Sequence, residues 1–204
     1  MNNNILNEYS NNLFIDIVNS YDIIHNLSWK ESGAKFTHDV WVVKQGRIYI
    51  EQDGEIITLE KGDIFMHYPA RLYTAYTDDA GCEFIYTRFN IKLWGEYVDT
   101  TDINMYGKFP AELLKDEYCV YIKAHKMYEK SEFMSVFMLR AALELIVGKC
   151  ISCAQLKSPQ KIYALRDKGA RIESSLKYIS ENIHRKIAIE EIASQVGMSE
   201  KYFI

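Results

Sequence analysis

The chain has 204 residues, 48% hydrophobic and 13% aromatic, enough to bury one substantial core and a small satellite unit and too apolar for a disordered chain. Its net charge of −4 belongs to the first 165 residues, which hold 17 Lys/Arg against 22 Asp/Glu, while residues 166–204 hold seven against six; the larger part therefore has no electrostatic footprint for nucleic acid. No leader and no window of eighteen apolar residues is present, so a cytoplasmic protein without membrane contact is expected.

After an Asn-rich start, Met1 to Asn12, residues Leu13 to Ile91 read as short strands, with apolar and β-branched runs at Val40–Val43, Ile48–Ile50, Ile56–Leu59, Ile64–Met66 and Phe84–Phe89. The breaks carry turn chemistry: Gly46 after Gln45, Asp53-Gly54 as a type I′ hairpin signal, Lys61-Gly62-Asp63 as a tight turn, and Tyr68-Pro69 closing a strand. Short strands at this spacing predict a small barrel or jelly roll over residues 1–110.

From about Ala111 the apolar period changes to 3.6, predicting helices near Ala111–Lys130 and Glu132–Cys153. The second is apolar over far more than one stripe (Phe133, Met134, Val136, Phe137, Met138, Leu139, Leu143, Leu145, Ile146, Val147), so it must be covered on more than one side. A partner subunit or a helical neighbour would do this; the expectation is a homodimer through residues 132–153, with 111–154 as a dimerisation segment. Cys82, Cys119, Cys150 and Cys153 lack paired spacing and are expected as reduced, packed thiols; the Cys150-x-x-Cys153 pair has no second ligand pair for zinc.

Residues 155–168 read as a linker. Beyond it Ile172, Leu176, Ile179 and Ile183 mark one face of a helix. Ile189, Ile192, Ala193 and Val196 stripe a second, shorter one. Gly197 is the left-handed residue that stops it, Ser199 the N-cap of the next helix, and Met198 with Phe203 a hydrophobic staple. That is the spacing of a helix-turn-helix, although two amphipathic helices can meet this way with no DNA role.

The segment SSLKYISENIHRKIAIEEIASQVGMSEKYF resembles the opening of the AraC-family DNA-binding domain, with "YI.EN" ahead of "EEIA...GMS..YF". HDVWVVKQGRIYIEQDGEIITLEKGDIFMHYP resembles, more weakly, the cupin-like sensor domain of the same family. The resemblance implies an α+β chain with a cupin-like effector-sensing barrel at 1–110, the helical segment, the linker, and the start of the DNA-binding domain at 169–204. It implies a transcription regulator in which a small organic effector, sugar-like or a carboxylate, alters how the DNA-binding unit is presented.

Promoter DNA is the partner of the full-length family, through the helix that Ser199, Lys201 and Tyr202 open here. The family carries two such motifs; this chain stops at Ile204, and with a charge of about +1 in its C-terminal part it is not expected to bind DNA measurably. Ala188 stands where the family places a Ser or Thr N-cap, which predicts a frayed helix start.

Cupin enzymes hold a metal with two closely spaced histidines, a carboxylate and a later histidine. Here His38 is followed by Asp39, Val40, Trp41, Val42 and Val43, so no metal, cofactor or catalytic residue is expected, and His38 and His67 read more simply as hydrogen-bonded strand-end residues. Period two places Phe84, Tyr86, Arg88 and Asn90 on one face of their strand, a mixture of rings and donors suited to a pocket. Tyr86 and Arg88 match strand positions that face the effector cavity in sugar-responsive members. With Gln45, Arg71, Tyr73 and His38 they form the candidate effector site. A metal-dependent cupin enzyme and a ligandless dimerisation module are the competing readings.

Overall fold

The computed structural model describes residues 13–26, 29–93, 96–97, 100, 105–153 and 174–203. Its strands are β1 Leu13–His25, β2 Lys30–Ala34, β3 His38–Gln52, β4 Glu55–Leu59, β5 Ile64–Met66, β6 Leu72–Leu93, β7 Glu96–Tyr97 and β8 Gly107–Phe109. Helices follow at α1 Lys115–Glu129, α2 Ser135–Cys153, α3 over 174–182, α4 Ile189–Gln195 and α5 Glu200–Phe203. The architecture is α+β, as expected. The first twelve residues and the expected linker, with Ile172, lie outside the described residues.

The long strands β3 and β6 organise everything else. They pair twice, His38–Gly46 with Cys82–Phe89 and Ile48–Glu51 with Thr74–Thr77, with register shifts between. The first half extends to a sheet in the order β1-β6-β3-β5-β8; the second half is flanked by β2 and β4. Trp41, Val43, Phe65, Cys82 and Phe84 of the first half pack in one core with Ile48, Ile50, Leu59, Tyr73 and Ala75 of the second, so the two halves face each other as a sandwich. The inward positions are odd in β3 before the bend and even after it, because the bulge lets both halves present the same face to the core.

Gly46 and Gly81 make this bend. Both have positive φ, 74° and 72°, and a Cβ on Gly46 would lie 2.1 Å from the Gly81 carbonyl oxygen. The sequence expectation of a strand ending at Gly46 is therefore corrected: Val40–Val43 and Ile48–Ile50 belong to one bent strand. Of the expected barrel or jelly roll, the jelly-roll alternative holds and closure does not: the described strands form an open path with β1 and β8 at its ends. The Asp53-Gly54 hairpin is present, with φ of 53° and 82° and Gln52 opposite Glu55. So is the turn at Asp63, whose carboxylate accepts from the Glu60 and Ala111 amides at 2.8 and 3.0 Å.

The outer face of the first sheet is apolar as well: Val40, Val42, Ile64, Met66, Ile85, Phe89 and Ile91 are buried. Helix α1 lies on it, its fully buried Tyr121 hydroxyl hydrogen-bonded to Thr87, which in turn meets Ser20 of β1. This is why His38–Val43 is buried without alternation. Helix α2 buries the single stripe Leu139, Ala142, Leu143, Ile146, Val147 and Cys150, leaving Val136, Phe137, Met138 and Leu145 exposed beside Phe133. Cys82 and Cys150 are packed as expected, while Cys119 and Cys153 are exposed.

The C-terminal residues belong to a different compact unit from the one that holds Ile15–Ile91. Helix α3 ends at 182, short of Ile183, which is exposed along with Leu176, so the expected apolar face is replaced by a packed Ser175. Helix α4 ends in a Schellman turn: Met198 N–H donates to Ala193 O at 3.0 Å and Gly197 N–H to Ser194 O at 3.2 Å, with Gly197 at φ 66°. Its start is not frayed. Glu191 accepts from the Ala188 amide at 3.1 Å, from Tyr178 at 2.8 Å and from Arg185 at 2.6 Å, which fixes the first turn through the glutamate half of a capping box although Ala188 offers no side-chain acceptor. Those donors hold the Glu191 carboxyl down to about 2.

Candidate ligand-binding site

One end of the sandwich interior is polar. On β3, Asp39 and Trp41 alternate inward, and their neighbours across the sheet are fixed by register: Arg88 and Tyr86 on β6, Phe65 on β5. His67 follows β5 directly and its amide donates to the Asp39 carbonyl at 2.9 Å. Two rows result, Arg88-Asp39-His67 and Tyr86-Trp41-Phe65. From the second sheet come Tyr73 on β6 and, opposite it on β2, Gly33, followed by Lys35.

Charge is concentrated where these rows meet. The Lys35 ammonium lies 3.6 Å from Asp39 and 3.5 Å from Glu31, and 5.7 and 5.3 Å from the ring centres of Trp41 and Tyr73. Arg88 Nε lies 3.4 Å from the same Asp39 oxygen, with its guanidinium over Tyr86. Tyr73 donates its hydroxyl to Glu31 at 2.5 Å, and burial with that bond drives its ionisation far above the tyrosine range. His67 sits 4.4 to 4.8 Å from the ring centres of Trp41, Tyr73 and Phe65.

Two features distinguish this cluster from a closed salt-bridge network. Asp39 and His67 are 0% and 1% exposed, yet Asp39 Oδ1 and His67 Nε2 have no hydrogen-bond partner among the described residues. Buried polar atoms are normally satisfied, and each orphan costs on the order of 1–3 kcal/mol, which makes the pair a candidate place for polar groups of another molecule. A Cβ placed on Gly33, across from Tyr73, would meet nothing within 4 Å, so there is open space beside the cluster. Electrostatics follow from burial. It pushes the Asp39 carboxyl up to about 6 despite Lys35 and Arg88, and it drives His67 well below the usual imidazole range, helped by Lys35.

Of the residues expected to form the site, Tyr73, Tyr86 and Arg88 are brought together. The others are not. Gln45 is exposed six residues along β3 from Asp39, about 20 Å away at strand rise. Arg71 pairs with Asp53 at 2.8 Å and covers the Tyr68 ring, a half-exposed surface arrangement. His38 faces the opposite side of β3, stacked on Phe89 and 2.6 Å from Thr100 Oγ1, as a hydrogen-bonded strand-end residue. His67, read in the same way from sequence, belongs to the site instead. Sequence reasoning also missed Glu31, Lys35, Asp39 and Trp41; the local hint was a carboxylate directly ahead of the apolar run Val40–Val43, which does not say which way that side chain points.

A second recess, an open cleft of about 950 Å³ at the α1–α2 turn, is lined by Tyr21, Asp22, Glu129, Met134, Val136 and Phe137 among others. It is a broad surface feature, and Asp22 Oδ1 on its wall is likewise buried without a hydrogen-bond partner among the described residues. Among the described residues no group of three His, Cys, Asp or Glu is placed to hold a metal ion, and no helix is long and apolar enough to cross a membrane. In the C-terminal unit Ser199 and Lys201 are exposed, and the side chain of Tyr202 lies outside the described residues.

No protein-family model and no curated protein matches the chain. Solved structures do align with a little over a third of it. A cupin-like protein from Thermotoga maritima covers 37% of this chain and 67% of its own at 12% identity and TM-score 0.33. An RmlC-like cupin from Shewanella frigidimarina covers 38% and 76% at 21% identity and TM-score 0.32. KdgF from a Halomonas species covers 38% and 80% at 19% identity and TM-score 0.32.

Proposed function

We propose that this chain is the effector-binding and dimerising part of an AraC-type transcription regulator, acting in the cytoplasm. The observation that carries the effector reading is the pair of buried atoms on Asp39 and His67, without a hydrogen-bond partner among the described residues, beside open space at Gly33. The C-terminal reading rests on the resemblance of residues 174–203 to the family's DNA-binding opening, and the Schellman turn at Gly197 supports it. The effector then acts through different affinities for two arrangements of the chain, with promoter DNA as the partner of the full-length regulator and not of these 204 residues alone.

The test is a thermal-shift screen of the 204-residue chain against sugars, sugar phosphates, carboxylates and aromatic acids. One class is expected to raise the melting temperature saturably, by roughly 5–10 °C at a hundredfold excess over Kd. Replacing Tyr86 and Arg88 together with alanine should abolish that rise while the unliganded melt stays cooperative. A rise that survives the double substitution places the site elsewhere, and no response from any class removes the sensor reading.

The dimer is assigned to the exposed apolar residues of α2. Phe137 and Leu145 are 56% and 52% exposed, and a second copy packing there would cover them. Phe137→Glu is expected to halve the mass measured by sedimentation equilibrium and leave the circular dichroism spectrum unchanged; an unaltered mass, or a monomeric parent chain, rules this interface out.

A further inference from the structure

We propose that the ligand of this site is a carboxylate with a flat ring body, held by Lys35 and Arg88 against Trp41 and Tyr73, and that Asp39 takes up a proton as it binds. The inference rests on the effector-binding reading above and names the ligand class and its linkage to pH.

Four charged groups face the site. Lys35 and Arg88 are its cations; Asp39 and Glu31 are its anions; His67 is held neutral by burial, and the Tyr73 and Tyr86 hydroxyls are pushed up by burial. The set is therefore balanced. A cationic ligand would enter against two resident cations. An anion adds a third negative group to two positive ones, and the balance is kept only if one resident carboxyl becomes neutral.

Asp39 is the group least costly to neutralise. Its side chain is fully buried, whereas that of Glu31 is 36% exposed and accepts from Tyr73. Burial already pushes the Asp39 carboxyl up to about 6, so solvent supplies the proton near neutral pH with no co-reactant. A protonated Asp39 releases Lys35 and Arg88 to the ligand, and its orphaned oxygen becomes a hydroxyl donor toward the ligand carboxylate. The flat body follows from the walls: Trp41 and Tyr73 present ring faces over which the Lys35 ammonium now lies, and Gly33 leaves the approach open.

The experiment is titration calorimetry on the whole chain with benzoate, benzamide and inorganic phosphate as separate arms. Each arm is run at about pH 5.5 and about pH 7.5, in paired buffers of different ionisation enthalpy. Benzoate is expected to bind saturably, to weaken up to about tenfold per pH unit above the Asp39 midpoint, and to take up close to one proton at about pH 7.5 but only about a quarter of one at about pH 5.5. Benzamide should not bind. Phosphate binding without benzoate binding identifies an anion site with no ring preference and overturns the aromatic assignment.

Benzamide binding as tightly as benzoate, or proton release, overturns the carboxylate assignment while leaving the site reading intact. Silence in all three arms also overturns it, and the broader ligand screen then decides whether the site reading falls with it. Two variants separate folding from binding. Asp39→Asn should keep benzoate and lose the pH dependence. Gly33→Leu, which fills open space at an unstrained position, should lose benzoate at an unchanged melting temperature; retained affinity there places the ligand elsewhere.

Discussion

Gly46→Ala is expected to cost about 4 kcal/mol or more of unfolding free energy, a large fraction of the stability of a typical domain. Two costs add. An alanine at φ 74° carries roughly 1–2 kcal/mol of backbone strain. Its Cβ would also stand 2.1 Å from the Gly81 carbonyl oxygen and 2.9 Å from the Cys82 Cα, atoms of the backbone that no rotamer change can move. Relief requires β3 and β6 to part at the point where both strands cross between the sheets. Gly54→Ala is the control: its φ is 82° but nothing lies within 4 Å of the added carbon, so only the backbone cost, about 1 kcal/mol, applies. Urea unfolding of both variants checks the argument. Equal losses in the two would show that the contact at the bend yields, and that the sandwich does not depend on it.

The same glycine explains how far the sequence could be read. Turn chemistry located Gly46 correctly but not its use: a glycine between two apolar runs signals a reversal as readily as a bulge within one strand. Only the pairing of β3 with the distant β6 decides between them, and that partner is not a local property. The Asp53-Gly54 hairpin was legible because Gln52 and Glu55 flank a two-residue loop whose geometry is set locally. The helix near 132–153 was legible as well, through its period. Its covered stripe was not, since the chain itself buries only Leu139, Leu143 and their neighbours.

The site was half legible for a related reason. Alternation along β6 put Tyr86 and Arg88 on one face, and register confirms that face as interior. The run His38–Val43, buried on both sides, carries no alternation, so nothing marked Asp39 as inward and His38 as outward. Lys35 and Glu31 sit in and after a strand, KESGA, whose composition gives no strand signal at all. They were reachable only through the pairing of β2 with β6.

Asp39 should also leave a signature in the pH dependence of stability, of opposite sign to that of an ordinary salt-bridged aspartate. Its carboxyl is raised from 3.8 to about 6 because burial outweighs Lys35 and Arg88. The folded chain therefore keeps a proton that the unfolded chain releases across this window. Stability falls as pH rises from about 4 to 6, by on the order of 3 kcal/mol, and the loss is complete above the folded midpoint. His67 works the other way: burial depresses it, so the unfolded chain gains a proton below about 6.5 that the folded chain refuses, and stability falls toward acid. The raw profile mixes the two, and the difference between the parent chain and Asp39→Asn isolates the first. In urea titrations from about pH 4 to 7.5 the asparagine variant should gain on the parent as pH rises, reaching its full advantage above about 6. Parallel profiles would mean that Lys35 and Arg88 hold the carboxylate ionised at no cost, and would also remove the proton uptake expected on ligand binding. A divergence of the expected sign ties the two together: the ionised Asp39 that weakens the free fold is the group that a bound anion relieves.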